Sequence, residues 1–519
     1  MWLVAALAAC VLHRLREDVN SASLMQQTRD DAKKSRMSEP VPVGDVDLSA
    51  IRISQRFAVD QGLKSDGTPK IRCVDSCTES GINPCTEASE HLSLDGLDDL
   101  IEIMKFFRID LSTLPHLLKV DVNAAYRRVP VNAEDRWAAH VAFQHLGTTY
   151  IAGHLAMPFG ATSSVFAWDR IGAAIVCICR VVLKIPVLRY VDDLFSAERP
   201  ECVVHARDCI VRLIRALLGA DSVSDDKVSS GLPLEILGVT VDADLDGVAF
   251  WPSEKKVSKW SSEIAAALAS KQLLRGPGKK LAGKLSWSAQ YVFQRLGRAM
   301  LRPLYNIGRG VSWSAPIESA LAWWQQVLEL QIHQHRRWVL PDTRPVQLLC
   351  DARGSPPRLA AVVYTHDGRS FYTDMEPPQA LLDFFLTRGD SQIAGLELAA
   401  IALGLCTFGE HFVGQKVRVW SDNCVSECAT RRGSAKAWDH NQIVHSLWTK
   451  AAALKCYMRV DRVPTELNIS DLPSRMEYKL LQLMGTQFVE PELDEMFWSE
   501  TAWSPLVVSD PSVTRWDGF

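Results

Sequence analysis

Tyr190-Val191-Asp192-Asp193 places two adjacent carboxylates inside an otherwise apolar segment, Ile185 to Phe195, that has the pattern of two strands joined by a turn. In isolation, two aspartates at such a turn are most often solvated turn residues. Upstream, Leu117 to Val122 forms a second short apolar strand that contains Asp121 near its end. Two strand ends that carry carboxylates can converge on one metal site, and we predict that these two do.

The residue types fit magnesium chemistry. Mg²⁺ takes hard oxygen ligands and is held by one or two carboxylates together with substrate phosphates. Two such ions about 4 Å apart can activate an attacking 3′-hydroxyl and stabilise a leaving pyrophosphate. Asp121 and Asp192 are the predicted direct ligands, with Asp193 in support. The predicted cofactor is Mg²⁺, two ions in each active site, with Mn²⁺ as the alternative ion.

Six segments in the same order resemble the reverse transcriptase family. They are Lys70 to Asp75 with Gly81 to Asn83, Asp121 to Tyr126, His154 to Ala161, Tyr190 to Asp193, Asp226-Lys227, and Leu234 to Val239. The resemblance implies that Lys70 and Arg72 hold the incoming triphosphate. It also places Phe159 and Gly160 against the nucleotide and the template, and makes Lys227 a candidate for protonating the leaving pyrophosphate.

Tyr126 follows Asp121 by five residues, and the resemblance makes it a gate beneath the sugar of the nucleotide. A rigid ring packed against C2′ would reject ribonucleotides by overlap. The alternative is a half-buried core aromatic that anchors the turn.

A second set of acids lies downstream. Val346 to Asp351 has the pattern of a strand that ends in an acid, and strands are predicted for Arg358 to His366 and Gly368 to Asp374. Ile393 to Phe412 has helical spacing with Glu397 near its start. Lys416 to Asn423 is again a strand followed by an acid, Asp422. After a strand at Tyr457 to Val463, Asp471 lies at a predicted helix start.

The order Asp351, Glu397, Asp422, Asp471 on strand, helix, strand and helix resembles ribonuclease H. Taken singly, Glu397 could be an exposed helix residue and Asp471 a helix N-cap. The ending Asn468 to Arg475, and the absence of a protease between the two regions, most resemble DIRS-type and pararetrovirus-like retroelements. One departure is that residues 464–467 lack the histidine that many ribonucleases H place there.

Composition and charge limit the number of domains and the kinds of partner that the chain can have. The chain has 519 residues, 47% of them apolar and 23% charged, as expected for three or four globular units. Its formal net charge of −4 argues against a nucleic-acid footprint along the whole chain.

Locally, however, Lys271 to Arg309 contains nine basic residues and no acid. This segment is predicted to be a helical hairpin, broken by a turn at Gly276-Pro277-Gly278, that grips duplex phosphates; the alternative is a solvated helix face. The assigned contacts are Lys279, Lys280, Lys284, Arg295 and Arg298.

Thirteen cysteines without a CxxC pair favour a reduced, intracellular protein of the cytoplasm or nucleus that is not secreted. Met1 to Leu12 is apolar but too short to span a bilayer. A short helix or the remainder of a longer upstream region is expected there in place of a signal peptide, and no membrane partner is expected.

The predicted fold class is a multidomain combination of α+β and α/β: a right-hand polymerase with fingers, ferredoxin-like palm and helical thumb, followed by a ribonuclease H-like mixed-sheet domain. The predicted domains are 1–44, a partly disordered N-terminal extension; 45–252, fingers and palm; 253–345, a basic helical thumb or connection; 346–485, the ribonuclease H-like domain; and 486–519, a C-terminal tail.

The expected function is that of a retrotransposon enzyme: an RNA-directed DNA polymerase, which is a nucleotidyltransferase, fused to a ribonuclease H that hydrolyses RNA in hybrids. Expected partners are an RNA template, a DNA primer, an RNA-DNA hybrid and dNTPs, while the oligomeric state is left open. The alternative is a degenerate or co-opted copy that binds nucleic acid without catalysis. Because all seven metal-site acids are present, the sequence argues against that alternative.

Overall fold

The computed structural model describes residues 2–63, 67–291, 295–308, 313–330, 333–339, 344–386, 392–499 and 515–517. Arg309 and half of the predicted tail therefore lie outside the described residues. Helix takes up 45% of the chain and strand 23%, arranged in several sheets, so the predicted mixed α/β multidomain fold class is confirmed. Within the described ranges, no helix has both the length and the apolar character needed to cross a lipid bilayer.

The chain divides into two compact units, Met1–Leu237 and Gly238–Phe519. This boundary differs from the predicted one after residue 252. The reason is that the hairpin of residues 239–252 pairs with a strand at His333–Arg337, which follows the helical segment in the chain.

Within the residues that the structure describes, unit 1 contains five α-helices and two main sheets. Its helices are α1 (Trp2–Arg14), α2 (Ser21–Lys33), α3 (Leu97–Lys105), α4 (Thr162–Val181) and α5 (Val203–Leu218). Its strands are β1 (Val41–Pro42), β2 (Ile53–Leu63), β3 (Pro69–Asp75), β4 (His116–Asp121), β5 (His140–His145), β6 (Thr148–Gly153), β7 (Leu188–Tyr190), β8 (Asp193–Glu198), β9 (Ser229–Gly231) and β10 (Leu234–Ile236).

The first sheet of unit 1 is antiparallel, with strand order β7-β8-β4-β9. Leu118 and Val120 of β4 pack with Trp168 of α4 and Ile210 of α5 in one buried core. Because side chains alternate along a strand, Asp121 lies on the face opposite this core. The sheet and its two helices contain residues that the sequence assigns to a palm, and that assignment stays a prediction.

The second sheet has the order β1-β6-β5-β2-β3, and helix α2 packs against it. Leu24 and Met25 of α2 are buried in a small core with Cys73 and Phe143. The structure thus differs from the expectation of a partly disordered extension at residues 1–44. The sequence signal was weak because α2 offers few large apolar residues to define a helical period.

Unit 2 combines helices with two sheets. Its helices are α6 (Glu254–Ser270), α7 (Arg275–Tyr291), α8 (Arg298–Tyr305), α9 (Ala315–Glu329), α10 (Gln379–Phe384), α11 (Ile393–Thr407), α12 (Cys424–Arg432), α13 (Trp438–Ala453), α14 (Asp471–Ser474) and α15 (Lys479–Leu483). Its strands are β11 (Val239–Ala243), β12 (Gly247–Pro252), β13 (His333–Arg337), β14 (Val346–Gly354), β15 (Pro357–Tyr364), β16 (Ser370–Met375), β17 (Lys416–Ser421), β18 (Tyr457–Arg462), β19 (Gln487–Phe488) and β20 (Arg515–Asp517).

The larger sheet of unit 2 is mixed, with the order β18-β17-β14-β15-β16-β19. Strands β14, β15 and β16 form an antiparallel meander, whereas β17 runs parallel to β14 and β18 parallel to β17. Helix α11 packs on this sheet, and residues 394–405 of the helix are all buried. A helix that is apolar on every side is expected to be enclosed, as α11 is.

The basic helical segment differs from its prediction in one detail. Gly276-Pro277-Gly278 does not break the hairpin but forms the first turn of α7, which begins at Arg275. Proline suits the first turn of a helix, where its missing N–H has no intrahelical partner to lose. The chain reverses earlier, at Lys271, whose backbone is left-handed with φ +49°.

Candidate active sites

The first site lies where strands β4 and β8 meet. Asp121 and Asp193 are direct cross-strand partners, and the backbone N–H of Val122 donates to the carbonyl oxygen of Asp192 at 3.0 Å. Directly opposed residues of an antiparallel pair lie side by side on one face of the sheet. Asp121 and Asp193 therefore lie side by side at the end of the sheet, with Asp192 at the adjoining turn, and their role as metal ligands stays a prediction.

Hydrogen bonds from two neighbouring side chains hold the turn in place. Val191 has a left-handed backbone with φ +56°, a conformation that is strained for a β-branched residue. Its carbonyl oxygen accepts hydrogen bonds from Trp168 Nε1 at 2.7 Å and from Arg189 Nη1 at 3.1 Å. Trp168 is fully buried in the core, so the turn is anchored to helix α4.

Electrostatics at this turn favour a bound cation. Burial, with the charges of Asp192 and Asp121, raises the pKa of Asp193 to about 6. Burial also raises the pKa of Asp192, and the charge of Asp121 adds to the shift. Lys227 Nζ donates to Asp121 Oδ1 at 2.7 Å and offsets part of the negative charge. Crowded carboxylates whose pKa values are raised in this way suit Mg²⁺, which would be held by Asp121, Asp192 and Asp193.

Next to these acids, three side chains form a row. The guanidinium carbon of Arg72 lies 5.5 Å from the centre of the Phe159 ring, and that ring meets the Tyr126 ring edge to face with centres 5.5 Å apart. Burial raises the pKa of the Tyr126 hydroxyl, and the charge of Asp192 adds to the effect. Lys70 is exposed on strand β3 two residues before Arg72, so both basic side chains leave the same face of the strand.

Gly160 is required by a close backbone approach. Its φ is +106°, and a Cβ at this position would lie 2.2 Å from the carbonyl oxygen of Asp75. Asn83 holds the same loop, because its Nδ2 donates to the carbonyl oxygen of Gly160 at 2.9 Å and its Oδ1 accepts from Thr162 N at 2.8 Å. The Phe159-Gly160 loop is therefore fixed against strand β3.

The second site is a group of three acids in unit 2. Asp351 comes from strand β14, Glu397 from helix α11 and Asp422 from the residue after strand β17. One carboxylate oxygen from each lies within 4.8 Å of the other two. Parallel pairing of β14 with β17 aligns Cys350 with Ser421, the residues just before the two aspartates.

The charge of this group is poorly offset by the protein. Burial, with the charges of Asp351 and Asp422, raises the pKa of Glu397 to about 9. Glu397 Oε2 is buried and has no hydrogen-bond partner among the described residues. Burial likewise raises the pKa of Asp351 to about 6. A buried acceptor without a donor, beside two more carboxylates, fits a divalent cation held by Asp351, Glu397 and Asp422.

Asp471 lies beside this group but is partly neutralised. Arg475 Nε donates to Asp471 Oδ1 at 2.8 Å, and the charge of Asp471 contributes to the raised pKa of Asp351. Ser470, not Asp471, is the residue before helix α14, so the N-cap alternative does not describe Asp471.

Asn468 and Ser474 belong to the motif from Asn468 to Arg475, but nothing in the sequence indicates that they support the second site. Ser474 lies beside Asp351 and lowers the pKa of that carboxyl against the effect of burial, while its hydroxyl donates to the carbonyl oxygen of Asp471 at 3.0 Å. Asn468 Nδ2 donates to the carbonyl oxygen of Cys350 at 3.1 Å, which holds the end of β14. Asn423 Oδ1 caps helix α12 by accepting from Val425 N and Ser426 N. Asn468 and Ser474 belong to the segment that resembles ribonuclease H, which was the available signal.

The lysines assigned to nucleic acid differ in their surroundings. Lys279 and Lys280 are exposed near the start of helix α7. Lys284 is half-buried, and its Nζ lies 2.7 Å from both carboxylate oxygens of Glu263 on α6. A lysine that is already paired gains less from a phosphate, so Lys279 and Lys280 are the better placed of the three.

Arg295 and Arg298 both contact other residues of unit 2. The Arg295 guanidinium lies 4.9 Å from the centre of the Trp448 ring, and burial lowers its pKa. Arg298 Nη1 donates to the carbonyl oxygen of Arg432, at the end of α12, at 3.2 Å. These contacts give both arginines a packing role, and their assignment to nucleic acid stays a prediction.

Several solved structures are similar to the chain. The foamy viral protease-reverse transcriptase in complex with an RNA/DNA hybrid has 13% sequence identity and a TM-score of 0.45, over 87% of this chain and 54% of that chain. The same foamy viral protein with dsDNA has 14% identity and a TM-score of 0.42, over 87% of this chain and 84% of that one. Its dRH form with ds DNA has 15% identity and a TM-score of 0.41, over 87% and 72%.

This chain thus spans about half the length of the first of these proteins. No model of a known protein family matches the chain, and no curated protein matches it.

The raised pKa of Glu397 predicts how stability depends on pH. An acid whose pKa is higher in the folded protein stabilises the fold at low pH, and this stability is lost as the pH rises from its ordinary value of 4.5 through about 9. Asp351, with a pKa of about 6, acts in the same direction. In EDTA, we expect Glu397→Gln to have a higher midpoint of thermal unfolding than the wild type at pH 8. The difference should shrink at pH 5.

Added Mg²⁺ should stabilise the wild type at pH 8 and stabilise the Gln variant much less. Glu410→Gln is the matched control, since Glu410 is an exposed acid of the same unit. It should follow the wild type in both buffers. A difference in midpoint that does not change with pH, or equal stabilisation of both proteins by Mg²⁺, would contradict the assignment.

Proposed function

We propose that the chain is an RNA- and DNA-templated DNA polymerase whose second unit hydrolyses RNA in RNA-DNA hybrids. The observation that carries this proposal is the direct pairing of Asp121 with Asp193, with Asp192 at the adjoining turn. Three carboxylates at one strand end, beside a row of basic and aromatic side chains, suit nucleotidyl transfer. The retroelement origin, of DIRS type or pararetrovirus-like, rests on the order of the sequence motifs.

The polymerase roles follow from the row beside the acids. Arg72 and Lys70 are placed to bind the triphosphate of a nucleotide that packs against Phe159 and Tyr126. Lys227 lies at Asp121, and its role as proton donor to the leaving pyrophosphate belongs to the proposal. Bound Mg²⁺ ions would lower the pKa of the attacking hydroxyl or water and offset charge on the reacting phosphate in both sites.

In the second site, Asp351, Glu397 and Asp422 would hold the ions, while Ser474 and Asn468 keep Asp351 in place. Asp471 with Arg475 lies at the edge of the group. The substrate of this site is proposed to be the RNA strand of a hybrid, and the partners are the RNA template, DNA primer and dNTPs. A copy without catalysis would have no physical reason to keep buried, mutually repelling acids.

Two substitutions test the proposal by separating its two activities. Asp192→Asn should reduce primer extension on RNA by about a hundredfold or more, because one anionic ligand is lost from the site. It should leave hybrid cleavage intact. Asp422→Asn should do the reverse. Both activities would be measured on one primed, labelled RNA template with Mg²⁺ and dNTPs.

Matched controls are available in each unit. Asp110→Asn and Asp383→Asn change exposed aspartates of unit 1 and unit 2 respectively, and both should retain both activities. If Asp192→Asn extends primers within a few-fold of the wild type, the polymerase site is misassigned. Loss of both activities in either folded site variant would argue against two independent sites.

The basic start of helix α7 predicts a change in salt dependence. Replacing Lys279 and Lys280 with Gln should weaken binding of template-primer whatever its sequence, and lower the log-log slope against salt by about two units. Filter binding at several salt concentrations measures this slope. The pair Lys33→Gln and Lys34→Gln, adjacent lysines at the end of α2, should leave it unchanged. An unaltered slope in the α7 variant would instead support the alternative that this segment is a solvated helix face.

Tyr126 predicts a change in sugar selection. Because its ring packs edge to face on Phe159, truncation in Tyr126→Ala opens space beside the bound nucleotide. Incorporation of ribonucleotides relative to deoxyribonucleotides should therefore rise. Tyr126→Phe keeps the ring and should keep the wild-type ratio. Equal loss of both incorporations in the Ala variant would instead support the core-aromatic alternative.

A further inference from the structure

Unit 1 contains a buried network of charged side chains that none of the proposed catalytic roles uses. Its members come from five separate segments: Asp31 of α2, Arg56 of β2, Asp75 at the end of β3, Arg127 after β4, and His154 after β6. The side chains of Arg56, Asp75, Arg127 and His154 are each 4% exposed or less, and that of Asp31 is 22% exposed.

Asp75 and Asp31 each bind a different arginine. Arg56 Nη1 lies 3.1 Å from Asp75 Oδ1, and Arg127 Nη2 lies 3.0 Å from Asp31 Oδ2. Arg56 Nη2 also lies 3.9 Å from Asp31 Oδ2, so Asp31 faces both guanidinium groups. His154 bridges the two halves: Arg127 Nη1 lies 2.8 Å from its Nδ1, and its Nε2 lies 2.9 Å from Asp75 Oδ2.

The network is balanced only when Asp31 is included. Because a guanidinium can only donate, Nδ1 of His154 accepts from Arg127 and the ring proton lies on Nε2, which faces Asp75; burial lowers the pKa of His154, which favours the neutral ring. Two arginines then face two aspartates. Without Asp31, one buried guanidinium would lack a carboxylate, and an unpaired buried charge is strongly unfavourable.

The network also holds the predicted nucleotide pocket. Arg127 follows Tyr126 directly, and its Nη1 donates to the carbonyl oxygen of Ala156 at 3.0 Å, in the loop that leads to Phe159. The backbone N–H of Asp75 donates to the carbonyl oxygen of Phe159 at 3.3 Å. Arg127, the residue after Tyr126, therefore holds the loop that leads to Phe159, and Asp75 holds the backbone of Phe159 itself.

We propose that Asp31 is a positioning residue for the nucleotide pocket: by completing the charge balance of Arg127 and Arg56, it holds Tyr126 and Phe159 in their edge-to-face arrangement. Helix α2 therefore sets nucleotide affinity and sugar selection without touching the nucleotide. The inference rests on the proposed polymerase function for its kinetic consequences, whereas the positioning of the Phe159 loop does not depend on activity.

The test compares Asp31→Asn with Asp30→Asn in the full chain. Asp30 is the neighbouring acid of the same helix, half exposed and paired with Lys33 at 3.7 Å, outside the network. Asp31→Asn should raise KM for dNTPs about tenfold while changing kcat little, since a displaced pocket weakens binding geometry first. It should also raise the ratio of ribonucleotide to deoxyribonucleotide incorporation. Asp31→Glu, which restores the charge, should recover part of both effects.

Hydrogen exchange supplies a readout that needs no activity. The amide of Asp75, bonded to Phe159, and the amide of Met157, bonded to the carbonyl oxygen of Val129, should exchange faster in Asp31→Asn than in the wild type or Asp30→Asn. Unchanged exchange at both amides would overturn the proposal. So would a loss of activity in Asp31→Asn that only follows the folded fraction, with KM and the sugar ratio unchanged. If the wild type does not extend primers, the proposed function fails, and the exchange comparison still decides the role of Asp31.

Discussion

Repulsion between neighbouring carboxylates is the constraint on which both units depend. In unit 1, Asp121 and Asp193 are forced together by cross-strand pairing, and Asp192 adds a third charge at a strained turn. In unit 2, Asp351 and Glu397 share a buried site with Asp422. Neither arrangement gains stability from its acids, because burial and like charges disfavour ionisation. The surrounding fold must therefore supply rigidity, which explains the buried Trp168 beneath the turn and the enclosed helix α11.

Much of both sites could be predicted because their signals are local. An acid at the end of a predicted short apolar strand, as Asp121 and Asp351 are, or directly after it, as Asp422 is, is placed by the strand period and by the end of the strand. The predicted strands from residues 346, 416 and 457 begin where β14, β17 and β18 begin. Glu397 could be assigned by its place near the start of an apolar helix. Which acids meet, however, followed from a family resemblance and not from periodicity.

Features that depend on distant partners could not be predicted in this way. Asp31 lies in a polar stretch, and its proposed positioning role depends on its bond to Arg127, which is 96 residues away in the chain. Arg295 belongs to a run of basic residues, which predicts a phosphate contact, but the run does not reveal that its guanidinium packs on Trp448. The charge pattern of a sequence identifies a basic side chain but does not show which surface of the protein, or which ligand, that side chain contacts. For the same reason the sequence does not indicate the division after Leu237, which depends on pairing between β12 and β13.

The two sites offset their repulsion in different ways, and this has a consequence for metal binding. In unit 1, Lys227 donates to Asp121, and the charges of Lys227 and Arg72 lower the pKa of Asp192, against the effect of burial. In unit 2, the pKa of Glu397 is lowered by a hydrogen bond from the Ala352 backbone, which is far outweighed by burial. Metal binding must displace any proton held by the ligands. Affinity for Mg²⁺ should therefore rise more steeply with pH in the second site, so the first site would remain loaded at a pH where the second site begins to empty.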